Sequence, residues 1–178
     1  MALEGWTAER LDGAGRIWKK EGRELTARFS GTSMHPTIPD GAEVRVLCGE
    51  EVRAGDVVVC QEGRRILVHR AVAILGSGWV LTRGDATAVP DLPVPASSVL
   101  GRITGLVTRE GDLAVPKAPD TAARRWTLRA CGSLLLAAPP AGRNLVRALW
   151  ILRKWFVLAP RAAARRLRPG IGAPGEQD

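Results

Sequence analysis

The sequence predicts a mainly β fold, in which a compact antiparallel β domain is followed by an α-helical extension. Between residues 24 and 108, short runs rich in β-branched residues alternate with turn signals built from Gly, Pro, Asp and Ser. After residue 118, apolar residues recur at helical spacing. The chain has 178 residues, of which 46% are hydrophobic and 25% charged, as in one ordinary globular domain with an appendage.

The N-terminal segment, residues 1–23, precedes the β region. Apolar residues from Trp6 to Trp18 are spaced along a charged stretch, about residues 6–22. Gly13 and Gly15 interrupt this stretch. This pattern predicts one short helix.

The β-rich domain is expected over residues 24–117, with six strands. Hairpin turns are expected at Glu62–Arg65 and Leu75–Gly78, where Gly lies between two strand-like runs. The predicted strands are Leu25–Phe29, Glu43–Leu47, Asp56–Gln61, Ile66–Ile74, Trp79–Thr82 and Val99–Thr108.

A basic amphipathic helical extension is expected over residues 118–168, followed by a disordered tail, residues 169–178. Asp120 or Thr121 can cap a first helix, Ala122–Ala138. A second helix, Leu145–Leu158, follows a linker that begins with Pro139 and Pro140.

The positive charge of the protein lies in this extension. Residues 1–119 contain 15 basic and 15 acidic residues, whereas residues 120–170 contain 11 basic residues and one acid, out of a total of +8. Two interpretations stay open. Either the helices pack on the β domain with solvated arginines, or one of them lies in the plane of an anionic membrane, with Trp150, Trp155 and Phe156 at the interface. Nucleic-acid binding is not expected, because no motif of that kind is present.

The cysteines and histidines predict neither a metal site nor a cofactor. Cys48, Cys60 and Cys131 form no CxxC pair and are expected to be buried free thiols. No apolar run reaches the roughly 18 residues of a membrane span, and the N-terminus lacks the pattern of a secretory signal. The protein is therefore expected to be cytoplasmic or peripherally bound to a membrane.

The segment Phe29–Thr37 carries the clearest chemical signal. A strand runs into a glycine, then hydroxyl residues, then a turn that contains proline. Such a turn can present the Ser33 hydroxyl while local N–H groups point at a developing oxyanion. A serine nucleophile needs an adjacent base. Of the two histidines, His35 is too close in sequence to reach back, which leaves His69, in the strand-like run 66–72.

A carboxylate is expected to orient that histidine. Asp85 and Asp91 both follow the next predicted strand, and either position suits the role.

Four segments together resemble the boxes of the type I signal peptidases and their SOS-repressor-like relatives. Gly31–Ile38 is similar to the nucleophile box with the signature SM-x-P-T, and Gly55–Val59 to the strand that follows it. Val68–Val72 resembles the general-base box. Leu81–Asp85 with the later Asp91 resembles the box TKGDNN…D. The four segments occur in the order of the family.

The histidine at position 69 indicates the branch of the family. Typical bacterial signal peptidases and the repressors have lysine there, whereas the endoplasmic-reticulum and archaeal type has histidine. The resemblance implies Ser33 as nucleophile, His69 as general base and Asp91 as the third catalytic residue. It implies a supporting role for Asp85, which is also the alternative orienting carboxylate.

The chain also departs from the family pattern. Gly31 stands where many bacterial members have a serine that assists the oxyanion hole, so the hole would rest on backbone N–H groups, that of Ser33 among them, with help from Thr32 or Ser30. Gly41-Ala42 and Ala86-Thr87 replace the usual Gly-Asp and Asn-Asn pairs, and the usual N-terminal anchor is expected to be absent. The candidate oxyanion and substrate-binding residues are Gly31, Thr32 and Met34.

Three functions are consistent with the sequence. The resemblance implies a serine endopeptidase that cleaves a peptide or preprotein, as in signal-peptide processing. A second interpretation is a repressor-like module that cleaves itself or only binds partners. A third is an inactive basic scaffold at a membrane or nucleic acid.

Overall fold

The architecture is one antiparallel sheet with helices against it, as seen in a computed structural model that describes residues 2–5, 7, 9, 11–76, 78–116 and 122–150. The sheet order in this part of the chain is β1-β2-β3-β8-β4-β5-β6-β7, and β9 pairs with β8. The prediction of a mainly β fold with C-terminal helices is confirmed. The strands are β1 (Ala2–Leu3), β2 (Glu24–Ser30), β3 (Glu43–Cys48), β4 (Val57–Glu62), β5 (Arg65–Leu75), β6 (Trp79–Arg83), β7 (Val94–Pro95), β8 (Val99–Thr108) and β9 (Gly111–Ala114).

All six predicted strands are present, with ends that differ by at most one residue. The β4–β5 hairpin turns at Gly63, whose φ of 58° suits glycine. The sequence did not predict β1, β7 or β9. β1 and β7 have two residues each, too few for an alternating pattern, and all four residues of β9 are exposed.

Helical residues lie within the predicted range 6–22, but they do not form one regular α-helix. Glu9 is helical, and a π-helical turn, Leu11–Gly15, leads into α1, Arg16–Glu21. The helix ends at Gly22, which has a φ of 61°. Trp18 packs against the main core.

Two hydrophobic clusters position the catalytic candidates. One is built from side chains of β2, β3, β4, β5 and β8, and Met34 and Ile38 from the β2–β3 loop are fully buried in it. The other lies between β5, β6 and the C-terminal helix α2, Ala122–Ala137. In that cluster α2 contributes Leu128, Cys131 and Leu135.

The described part of the helical extension packs on the β domain. Gly132 permits close approach, because a Cβ there would lie 2.8 Å from Leu75 Cδ2. Helical structure resumes over residues 140–150, and Val146 and Trp150 pack against the same cluster.

The second helix begins earlier than the predicted Leu145. Pro140 occupies its first turn, where a missing N–H costs nothing. The Pro139 carbonyl accepts from the N–H groups of Gly142 and Arg143. The rest of that predicted helix, with Trp155 and Phe156, and the predicted tail lie outside the described residues. No helix in the described part is long and apolar enough to cross a membrane.

Candidate active site

The β2–β3 loop holds Ser33 in a fixed position. Gly31 leaves β2 with a φ of 129°, a conformation that favours glycine, and its N–H donates to Asp40 Oδ1 at 2.7 Å. The Phe29 carbonyl accepts from the Gly41 N–H at 2.9 Å, which closes the loop at its base. Since Met34, directly after Ser33, is locked in the core, the serine has little freedom to move.

Ser33, His69 and Asp91 form a continuous chain of hydrogen bonds. Ser33 Oγ lies 2.9 Å from His69 Nε2, and His69 Nδ1 lies 2.6 Å from Asp91 Oδ2. With the hydrogen on Nδ1, the imidazole donates to the carboxylate and leaves Nε2 to accept from the serine hydroxyl. Ser33 and His69 are only 4% and 6% exposed, so the hydrogen bond between them is shielded from bulk water.

Asp91 is itself held in place by the end of β6. The fully buried Thr82 donates its hydroxyl to Asp91 Oδ2 at 2.8 Å, and the Asp91 N–H donates to the Thr82 carbonyl at 2.8 Å. The same carboxylate oxygen therefore accepts from both Thr82 and His69. This double contact fixes the distance between β6 and the imidazole.

Asp85 makes no hydrogen bond to His69 in the structure. Its carboxylate pairs with the Arg70 guanidinium through two hydrogen bonds of 2.9 and 2.6 Å, and it accepts from Thr37 Oγ1 at 2.6 Å. Arg70 also donates to the Gly55 carbonyl. Asp85 therefore links the β2–β3 loop to β5, which fits a supporting role, and the geometry leaves the orienting position to Asp91.

The ion pair determines the charge state of Asp85. Burial raises the pKa of this carboxyl, but the hydrogen bonds from Arg70 and Thr37 and the nearby guanidinium charges outweigh burial and lower the pKa below its ordinary value. Asp85 is therefore ionised at neutral pH, and Arg70, whose side chain is 3% exposed, has a charged partner.

Gly84 allows the end of β6 to approach the reactive group. A Cβ at this position would lie 2.7 Å from the Ser33 carbonyl oxygen, 2.9 Å from Ser33 Cβ and 3.2 Å from His69 Nε2. The Ala86 N–H donates to the Ser33 carbonyl at 2.8 Å. Only glycine fits between these groups, so residue 84 is part of the site although it has no side chain.

The three predicted oxyanion and substrate-binding residues have different surroundings. Thr32 is exposed next to Ser33. The Gly31 N–H is occupied by Asp40, so it serves the loop rather than an oxyanion. Met34 has no exposed surface, so its side chain anchors the loop instead of contacting a substrate. Ser30, the suggested assistant, is exposed at the end of β2.

The cysteines do not compete with Ser33 as nucleophiles. All three are buried, and none forms a disulfide within the described part of the chain. Burial, with the charges of Asp91 and Glu62, raises the pKa of Cys60 to about 12. Burial also raises the pKa of Cys48 to about 11. Both groups therefore remain thiols at neutral pH, and it is the thiolate that reacts.

Sequence reasoning missed four contributors to the site: Thr37, Arg70, Thr82 and Gly84. Each lies inside one of the segments that resemble the boxes of the family, so the sequence pointed to the right part of the chain. Their roles depend on contacts between segments far apart in the chain, and spacing alone does not report those contacts. A cavity of about 460 Å³ lies elsewhere, between α1, the end of β4 and the start of β8, and no catalytic candidate lines it.

Comparisons of the chain with protein-family models, with curated proteins and with solved structures gave no match. In the described part of the chain, no group of three or more His, Cys, Asp or Glu side chains is placed to hold a metal ion.

Proposed function

We propose that this protein is a serine endopeptidase of the Ser-His-Asp type, which cleaves a peptide or preprotein through an acyl-enzyme. The observation that carries the proposal is the hydrogen-bonded chain from Ser33 Oγ through the His69 imidazole to Asp91, with contacts of 2.9 and 2.6 Å. Nucleophile, base and orienting carboxylate come from three separate segments and meet in the order that a Ser-His-Asp mechanism requires.

The reaction follows from the positions of these groups. Ser33 Oγ attacks the scissile carbonyl carbon while His69 Nε2 takes the hydroxyl proton. Asp91 stabilises the resulting imidazolium through Nδ1–H, and main-chain N–H groups near the loop hold the oxyanion. Cleavage of the C–N bond releases the amine, which receives the proton from His69. A water, deprotonated by His69, then hydrolyses the ester and regenerates Ser33.

The resemblance to the histidine-containing signal peptidases supports the same assignment. The residues that it implies as nucleophile, base and third catalytic residue are the three that lie in hydrogen-bond contact. The resemblance also supports an extended peptide as substrate.

An active-site-directed label tests the proposal without a known substrate. Incubation with a serine-reactive phosphonate should add one phosphonyl group, located on Ser33 by peptide mapping. Ser33→Ala should abolish labelling, whereas Ser30→Ala, a change to an exposed serine three residues earlier, should leave it intact. An unlabelled protein that remains folded, or a label on another residue, would show that Ser33 is not an activated nucleophile. An intact-mass time course without substrate checks self-cleavage, and the proposal expects one unchanged mass.

Gly84→Ala is expected to slow this labelling about 100-fold, because the new methyl group must displace Ser33 or His69 by a few tenths of an ångström or more. The labelling rate under pseudo-first-order conditions measures the effect. Gly76→Ala is the matched control, since a Cβ there has no neighbour within 4 Å and no change in rate is expected. A Gly84→Ala rate equal to that of the wild type would mean that Ser33 tolerates displacement and that the contact has no role in reactivity.

A further inference from the structure

The outward side of the helical extension is unusually apolar. Of the large apolar side chains that are exposed in the described part of the chain, four of six lie between residues 126 and 149, and only Ile17 and Leu113 lie elsewhere. The four are Trp126 (74% exposed), Leu134 (59%), Leu145 (64%) and Leu149 (55%). We refer to them as the outer patch.

The outer patch is separate from the surface that stabilises the fold. In α2, Leu128, Cys131 and Leu135 are buried against β5 and β6 at helical spacing. Trp126 lies two residues before Leu128, and therefore on the opposite side of the helix. Apolar side chains therefore lie on both sides of the helix, with the exposed Arg129 also on the outer side, and burial of the inner side leaves the outer side to contact water or a partner.

The segment that carries the outer patch has charges of one sign. Residues 122–150 contain five arginines and no acidic residue. Arg129, Arg143 and Arg147 make no ion pair with another described residue, whereas the described ion pairs involve residues 4–112. Over residues 140–150, Leu145 and Leu149 flank the packed Val146 and Trp150 on one side, and Arg143 and Arg147 flank them on the other, at helical spacing.

We propose that the outer patch and these arginines dock the protein on an anionic membrane surface. Exposed Trp and Leu side chains insert at the boundary between headgroups and acyl chains, while the arginines bind lipid phosphates. Charge complementarity selects this partner, because a segment that carries five arginines, no acidic residue and exposed apolar side chains matches an anionic leaflet. The proposal concerns a surface and is independent of the catalytic proposal.

Vesicle co-sedimentation of the full-length chain tests the proposal. The protein should bind phosphatidylcholine vesicles that contain about one-third phosphatidylglycerol at least tenfold more strongly than pure phosphatidylcholine vesicles, and added salt should weaken the binding. The variant Trp126→Ser/Leu134→Ser/Leu145→Ser/Leu149→Ser should lose at least tenfold in binding. The variant Arg129→Gln/Arg143→Gln/Arg147→Gln should lose a similar factor.

The control Ile17→Ser/Leu113→Ser removes equally exposed apolar side chains from elsewhere and should bind as the wild type does. Thermal melting verifies that each variant is folded. If the quadruple variant is not folded, the single variants Trp126→Ser and Leu149→Ser are tested in its place. Equal binding to both vesicle types overturns the proposal. Binding that survives loss of the outer patch also overturns it, since residues 151–178 would then be responsible. A wild-type dimer that the outer-patch variant dissociates, without vesicle binding, would assign the surface to a second copy of the chain instead.

Discussion

Replacing Asp91 with asparagine is expected to lower the rate of phosphonate labelling at Ser33 by roughly 10³–10⁴-fold. His69 needs a hydrogen on Nδ1 so that Nε2 can accept the proton of Ser33, and Asp91 Oδ2 at 2.6 Å enforces that tautomer. An asparagine amide either donates to Nδ1, which stabilises the wrong tautomer, or presents its oxygen without the negative charge that stabilises the imidazolium. Both outcomes weaken the base, and neither removes a packed side chain.

The measurement is the second-order rate constant of labelling, with melting temperature as a check on folding. Asp112→Asn is the matched control, because Asp112 lies in β9, pairs with Arg45, and belongs to none of the segments that supply Ser33, His69 and Asp91. Its labelling rate should equal that of the wild type. If Asp91→Asn reacts within about threefold of the wild type, the carboxylate does not orient the base, and the catalytic proposal loses its third member.

The strands could be predicted from the sequence because the features that indicate a strand are local. A run such as Val99–Thr108 has β-branched residues between turn signals, and these features act within about ten residues. The two-residue strands β1 and β7 exist only because β2 and β6 offer them a hydrogen-bonding edge. Such strands depend on tertiary pairing, which a local pattern does not contain.

The candidate site could be predicted only in part, because its contacts also depend on tertiary structure. Asp85 and Asp91 are equivalent by local pattern, since both follow β6, and only the family resemblance favoured Asp91 as the orienting carboxylate. Successive residues of a strand point to opposite faces, so His69 and Arg70 in β5 face different ways. Each binds a different carboxylate of the segment that follows β6: His69 contacts Asp91, and Arg70 contacts Asp85. Alternation along β5 thus divides the two aspartates between a reactive and a structural role.

The structural role of Asp85 leads to the second prediction of a large effect, in this case on stability. Asp85→Asn is expected to reduce the free energy of unfolding at neutral pH by about 3–5 kcal/mol, because Arg70 is buried and loses its charged partner. Glu50→Gln, which breaks the exposed pair between Glu50 and Arg102, is the control and should cost at most about 1 kcal/mol. Urea denaturation of the three proteins measures both values.

The dependence of stability on pH distinguishes the loss of the ion pair from a simple loss of packing. The hydrogen bonds and charge of Arg70 outweigh burial and lower the pKa of Asp85 in the folded state. The stability that this carboxylate provides is therefore fully present above its ordinary, unfolded-state pKa and is lost as the pH falls through the lowered, folded-state pKa. The gap between wild type and Asp85→Asn should narrow in that acidic range, since the wild type then also carries a neutral group at position 85. The double variant Arg70→Met/Asp85→Leu should recover most of the lost stability, because it removes both buried charges. A gap that stays constant through the acidic range would mean that the cost of Asp85→Asn comes from packing and not from the charge of Asp85.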